Sequence, residues 1–280
     1  MSSTRETEAV AGSAAASGRV PTPGGDEHRP ARRWLWLLLS LALPTLILGA
    51  WQLATTLEMA PAYKLPPLAT IWDATIDLAN RGTLGLHIAI STQRVLIGFA
   101  IGAGLGLVLG AIVGLSRVWE TFFGGTLGAL RAVPSLAWAP LLLLWLLYGE
   151  ESKITLITIG AFFPVYTTVS AALRHVDRQL VEAGRAFGLH GVRLFTTVQL
   201  PAVLPSVISG LRLALAQAWL FLVAAELLGA SMGLGFLLTD SQNNGRTDRL
   251  FLAIILLAVI GKLTDSLIGL FERWAKRRWS

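Results

Sequence analysis

The polar residues of this chain are few and gathered, and none is arranged for covalent chemistry. The stretch VEAGRAFGLHGVRLFTTVQLP, residues 181–201, holds Glu182, Arg185, His190 and Arg193 among Gly184, Gly188 and Gly191, with Pro201 at its end. Elsewhere Arg131, Arg212, Glu226, Lys262 and Asp265 stand inside apolar runs. A phosphate-cradling loop needs G-x-x-x-x-G-K-[ST], but Gly261-Lys262 is followed by Leu263. The His residues are scattered and there is no Cys, so spacings such as H-E-x-x-H are missing and no disulfide can form. No G-x-S-x-G elbow occurs. What these groups can do is attract charge, pair and dock. The chain is therefore expected to be no enzyme, to hold no metal and to bind no cofactor of its own.

The setting for these residues is lipid. Of 280 residues 54% are hydrophobic and 14% charged, and the mean hydropathy is +0.61, whereas soluble domains carry about a quarter charged residues. The net charge of +6 would suit nucleic acid in a polar chain. In one this apolar it marks the cytoplasmic side of a membrane, so no nucleic-acid partner is expected. Residues 1–33, rich in Ala, Gly, Ser and Pro, are expected to form a disordered cytoplasmic tail. The apolar segment that follows is too long for a signal-peptide core and lacks a clear small-x-small cleavage site.

Six segments are long and apolar enough to cross a bilayer: 34–54, 95–115, 122–147, 154–174, 205–229 and 250–271. The expected fold is all-α, a polytopic membrane bundle of six transmembrane helices over residues 34–280, with the third helix bent near Pro134. Lys and Arg concentrate on alternate connections: the tail, Arg117, the link with Arg174, Arg178, Arg185 and Arg193, and the C-terminal Arg273, Lys276, Arg277 and Arg278. The positive-inside bias puts those segments and both termini in the cytoplasm. Outside, residues 55–86 read as an amphipathic surface helix and 231–249 as an irregular loop.

Within the second span Gly98, Gly102, Gly106, Gly110 and Gly114 recur every fourth residue. Such a stripe lets another helix approach closely, as fixed packing or as a track for sliding. Lys262 and Asp265 can pair at i,i+3, or Asp265 can meet Arg212 instead. Those pairings would hold the bundle together. Alternatively Arg131 or Arg212 attracts an anionic substrate into a central path, with Trp138 lining it. The loop at 175–204 is far longer than a connector requires. It reads as a short helix over Glu182–Phe187, a glycine turn, and a second helix that Pro201 and Pro205 lead back into the membrane.

That loop carries a recognisable pattern. Glu182, Ala183, Gly184, Gly188, Val198, Leu200 and Pro201 resemble the cytoplasmic signature loop of ABC importer permeases, with Gly184 where Ala is usual. The stretches HIAISTQRVLIGFAIG, RAVPSLAWAPLLLLWLLYGEESKI and AELLGASMGLGFLL resemble the branch that imports aliphatic sulfonates, nitrate or taurine, nearest the aliphatic sulfonate permeases, with pyrimidine precursors a further alternative substrate class among its relatives. Leu147-Tyr148 replaces a usual phenylalanine-glycine. The resemblance implies that Glu182, Ala183, Gly184, Gly188, Leu200 and Pro201 couple the bundle to a cytoplasmic ATPase dimer, which uses ATP and Mg. It also implies a periplasmic or lipid-anchored substrate-binding protein, a second permease copy and location in the bacterial inner membrane. An ion-coupled carrier and a membrane scaffold are the competing classes. The first would need intramembrane carboxylates such as Glu226 and Asp265 as ion sites. The second would explain the loop but not the glycine stripe.

Overall fold

A computed structural model of the chain describes residues 30–279, the side chains of 30–38, 40, 41, 271 and 274–279 excepted. Most of the predicted tail lies outside these residues. Two units divide at Trp51. The boundary falls inside helix α1 (Pro30–Thr56), which starts at Pro30 rather than at residue 34 and contains Pro44.

Every regular element of the second unit is helical among the described residues: α2 (Leu68–Asn80), α3 (Thr83–Leu115), α4 (Arg117–Ala132), a 3-10 turn (Ser135–Ala137), α5 (Trp138–Leu146), α6 (Glu150–Arg174), α7 (Arg178–Ala186), α8 (Gly191–Leu194), a π segment (Phe195–Gln199), α9 (Leu200–Gly229), α10 (Leu234–Asn243) and α11 (Thr247–Trp279). Four stretches are long and apolar enough to span a membrane: Thr83–Leu115, Glu150–Arg174, Gly191–Gly229 and Thr247–Leu270. Arg117–Ala132 and Ser135–Leu146 would make a fifth as one broken span bent by 79°. The bend follows from Pro134, which cannot continue a helix and drives Val133 to an extended φ of −69° and ψ of 125°.

The core is a sheaf of α3, α6 and α9 with α6 in the middle. The glycine stripe of α3 is where α6 lies. A Cβ at Gly98 would sit 2.6 Å from Ile157 Cγ2, at Gly106 2.8 Å from Val165 Cβ, at Gly110 3.0 Å from the Tyr166 carbonyl and at Gly114 2.9 Å from Leu173 Cβ; at Gly102 it would meet the Thr158 carbonyl at 2.5 Å. With lipid outside as apolar as leucine, such close packing of backbones is what holds the helices together. The α6–α9 seam repeats the device. Gly210 faces Thr168, and Gly160 lets the Phe221 ring lie on the α6 backbone.

Three expectations change. The amphipathic segment is α2, but Ile71, Ala74 and Leu78 are buried and α2 packs on α3 and α11. The predicted irregular loop at 231–249 is largely helix α10, with Leu234, Gly235, Leu237 and Ser241 buried. Only the turn at Asn244-Gly245 is as expected, with Gly245 at φ 66°. Finally, Pro201 and Pro205 interrupt nothing. Helix runs on from Gly191 to Gly229, and Leu200 donates to the Phe195 carbonyl in the widened π turn just before Pro201. That turn accommodates the hydrogen bond and space that Pro201 withholds.

After α5, Leu147 takes φ 59° and ψ −163°, a region almost reserved for glycine. Lys153 Nζ pins this corner by donating to the carbonyls of Tyr148 (3.1 Å) and Gly149 (3.2 Å). Leu147 is 70% exposed, so its side chain gains little from burial. Leu147→Gly should raise unfolding stability by about 1 kcal/mol, read by thermal denaturation in detergent. The same assay tests the stripe. Gly104 meets nothing within 4 Å, so Gly104→Leu should leave the midpoint nearly unchanged. Gly106→Leu should cost about 3 kcal/mol or more.

Candidate functional site

The loop element is a self-contained rigid piece. The Asp177 carboxylate caps α7, accepting from the Gln179 backbone N–H at 2.8 Å. The helix therefore begins at Arg178, not at Glu182, and no acidic residue occupies its first turn. Glu182 instead takes an ion pair from Arg178 one turn earlier, at 2.7 Å. Both side chains are largely exposed, so the pair adds little stability. At the other end Gly188 N–H bonds the Arg185 carbonyl (2.9 Å) and Leu189 N–H the Gly184 carbonyl (3.0 Å). This is a Schellman closure with Gly188 in the left-handed position at φ 78°. Gly191 reverses the chain again at φ 54°.

Gly184 is buried, and a Cβ there would lie 2.7 Å from Leu194 Cδ1 and 3.1 Å from Val198 Cγ2. The first helix of the loop thus rests directly on α8 and the π segment. The π segment continues directly into α9. Ala183 and Glu182 stay exposed, as do Phe187 (87%) and Val192 (77%). Leu200 and Pro201 sit in the first turn of α9, half-buried, on the far side of the π segment from α7.

The three proposed pathway residues do not converge. Arg131 closes α4 at the 79° break and lines an open groove of about 400 Å³ with Ser135, Thr167 and Gln217. Trp138 lines a separate apolar recess of about 360 Å³ with Leu105, Leu130 and Phe162. Its indole N–H is buried without a hydrogen-bond partner. Arg212 is not among the groove residues. Its Nε and Nη2 each bond Asp265 at 3.0 Å and its Nη1 bonds Glu272 at 3.1 Å. It brackets α9 to α11, and of the two pairings open to Asp265 this is the tighter, since Lys262 Nζ is 3.8 Å away.

The largest polar cluster was not assembled by sequence reasoning. Glu226, 1% exposed, accepts from Arg94 Nη1 (2.6 Å), Ser91 Oγ (2.9 Å) and the Gly235 backbone (2.7 Å). Arg94 also grips Glu150 through two 2.6 Å bonds and the Met232 carbonyl through one. Ser91 and His87 accept the N–H groups of Leu234 (2.8 Å) and Gly233 (3.1 Å). Together these side chains cap α10 from α3 and α9. A signal existed: Arg94, Ser91 and His87 prolong the glycine stripe backward from Gly98 at steps of four, three and four.

The helical bundle, the glycine seam and the docked loop helix define a membrane permease. The chain belongs to the family of binding-protein-dependent transport system inner membrane components, whose model matches residues 102–277. It is 40% identical over 262 residues to the aliphatic sulfonates transport permease protein of Bacillus subtilis, covering 93% of this chain and 95% of that one. It is 41% identical over 252 residues to the corresponding protein of Escherichia coli, covering 90% and 95%. A nitrate import permease of Leptolyngbya laminosa is 32% identical over 228 residues, covering 80% and 82%. Among solved structures, an inward-facing MetNI methionine ABC transporter chain shares the fold with a TM-score of 0.61 at 20% identity, covering 69% of this chain and 96% of that chain. This chain is thus a multi-pass ABC importer permease.

Removing one member of a buried pair strands the other. Glu226→Leu or Arg94→Leu should each destabilise the protein by about 3–5 kcal/mol. The double variant should lose clearly less than the sum in the same denaturation assay, because its second substitution removes the stranded charge.

Proposed function

We propose that this permease carries a small organic anion, an aliphatic sulfonate, across the bacterial inner membrane, powered by a separate cytoplasmic ATPase dimer. Two copies of the chain, each with six spans and both termini in the cytoplasm, form the path between them. A periplasmic or lipid-anchored binding protein delivers the substrate. ATP and Mg stay with the ATPase. The identity of 40% to a sulfonate permease over nearly the whole chain supports the substrate class. Nitrate and taurine are the alternatives, the former favoured by the more distant nitrate permease.

The observation that carries the coupling mechanism is the build of α7. It is capped at both ends and seated on Leu194 and Val198 through Gly184. The exposed Glu182, Ala183 and Phe187 would enter a cleft of the ATPase. When ATP closes the two ATPase halves, each loop moves as a block and pulls α9 with it. The bundle then switches from inward-open to outward-open. An ion-coupled carrier is less well supported, since Glu226 and Asp265 are both held by arginines.

Gly188→Pro forces φ to about −65° where 78° is needed. Glu182→Lys reverses the charge of the exposed helix. Both variants should insert into membrane yet lose alkanesulfonate uptake in vesicles containing the ATPase and binding protein. Normal uptake by either would count against the coupling role. A cysteine placed at position 190 should react with a membrane-impermeant maleimide only from the cytoplasmic side; labelling of intact cells would overturn the topology.

A further inference from the structure

We infer that the groove between the α4–α5 break, α6 and α9 is an anion subsite on the transport path. Its donor groups hold the oxyanion head of the substrate and its apolar side chains hold the alkyl part. The inference rests on the permease reading above and names the residues that select its substrate.

The groove lies at mid-height of the bundle. Gly160, Pro164 and Thr167 belong to the middle of α6 and Gln217 to the middle of α9. An arginine at that depth is costly unless it meets a counter-charge or water. The neighbouring basic groups meet that requirement with protein carboxylates: Arg94 with Glu226 and Glu150, Arg212 with Asp265 and Glu272, Lys262 with Asp265. Arg131 makes no ion pair or hydrogen bond among the described residues, and no carboxylate lines its groove.

Two other polar groups there are also unspent. The Ser135 hydroxyl and the Gln217 amide have no partner among the described residues. The Thr167 hydroxyl is spent on the Phe163 carbonyl at 2.8 Å and offers an oxyanion no hydrogen. A guanidinium, a hydroxyl and an amide N–H₂ around one space, with no acid beside them, would repel a cation and receive an oxyanion.

Phe163, Leu213, Leu220 and Phe221 line the same groove, interleaved with these polar groups on α6 and α9. Phe221 is held flat against α6 by the absence of a side chain at Gly160. The open groove of about 400 Å³ has room and apolar side chains for the alkyl part of an amphipathic anion as well as for its charged head. On this geometry the permease itself, beyond its binding protein, discriminates an alkanesulfonate from an inorganic anion.

The test uses proteoliposomes holding the complete transporter with its ATPase and binding protein, and radiolabelled ethanesulfonate, nitrate and taurine. Arg131→Gln should cut ethanesulfonate uptake by about tenfold or more, and Arg131→Lys should recover much of it. Gln217→Met, which keeps the volume, should raise the KM for uptake by about threefold or more. Phe221→Ala should narrow the preference for ethanesulfonate over nitrate. If Arg131→Gln assembles with the ATPase and transports within about twofold of wild type, the subsite is wrong although the permease reading stands. If Arg131→Gln fails to assemble, unchanged kinetics for Gln217→Met and Phe221→Ala overturn it instead. Wild-type vesicles that take up nitrate or taurine but no ethanesulfonate would overturn the sulfonate reading and the role of the apolar side chains. Loss of that uptake in Arg131→Gln would then still support an anion site.

Discussion

Glu226 is buried in the last turn of α9 because α3 and α10 converge on it. Arg94 supplies the counter-charge, Ser91 a hydroxyl and Gly235 a backbone N–H. The start of α10 is buried against α3 and α9, so its N–H groups must find protein acceptors. The acceptors come from α3 and α9, far away in the chain. The same cluster reaches α6 through Glu150. One buried carboxylate therefore sets the relative height of α3, α6, α9 and α10, and the rest of the architecture is hung from that end.

Below that anchor the bundle is held by closeness rather than by charge. Glycines on α3, α6 and α9 remove the side chains that would separate the axes, and dispersion between backbones replaces the hydrophobic drive that lipid cannot supply. A seam so close-packed transmits displacement instead of absorbing it. This joins the two functional regions. The α7 block packs on the π turn that continues into α9, and α9 carries Gln217 and Phe221 of the groove.

Several features were legible in the chain because their signals are local. The glycine stripe is visible as a period of four. The break at Pro134 follows from ring geometry, and the turn at Gly188 from the positive φ that glycine tolerates. The signature residues 182–201 stand at fixed spacing. Other features were not legible for an equally physical reason. The helix α10 reads as a loop because SMGLGFLLTDSQNN carries no cap of its own; its caps are His87, Ser91 and Glu226. The start of α7 was placed late because Asp177, the capping residue, lies outside the signature pattern. The continuity of helix through Pro201 is not legible because a π turn is not encoded by any residue type.

Composition and periodicity alone determined that this is a helical membrane chain with close glycine packing, because hydrophobic length and the spacing of glycine act within a single helix. Tertiary structure decided which charges pair within the fold and which face open space. Arg94, Arg131 and Arg212 look alike as letters in apolar runs. Only packing brings carboxylates from other helices to the first and third and leaves the second facing an open groove, since pairing of buried charge depends on distance in space and not along the chain.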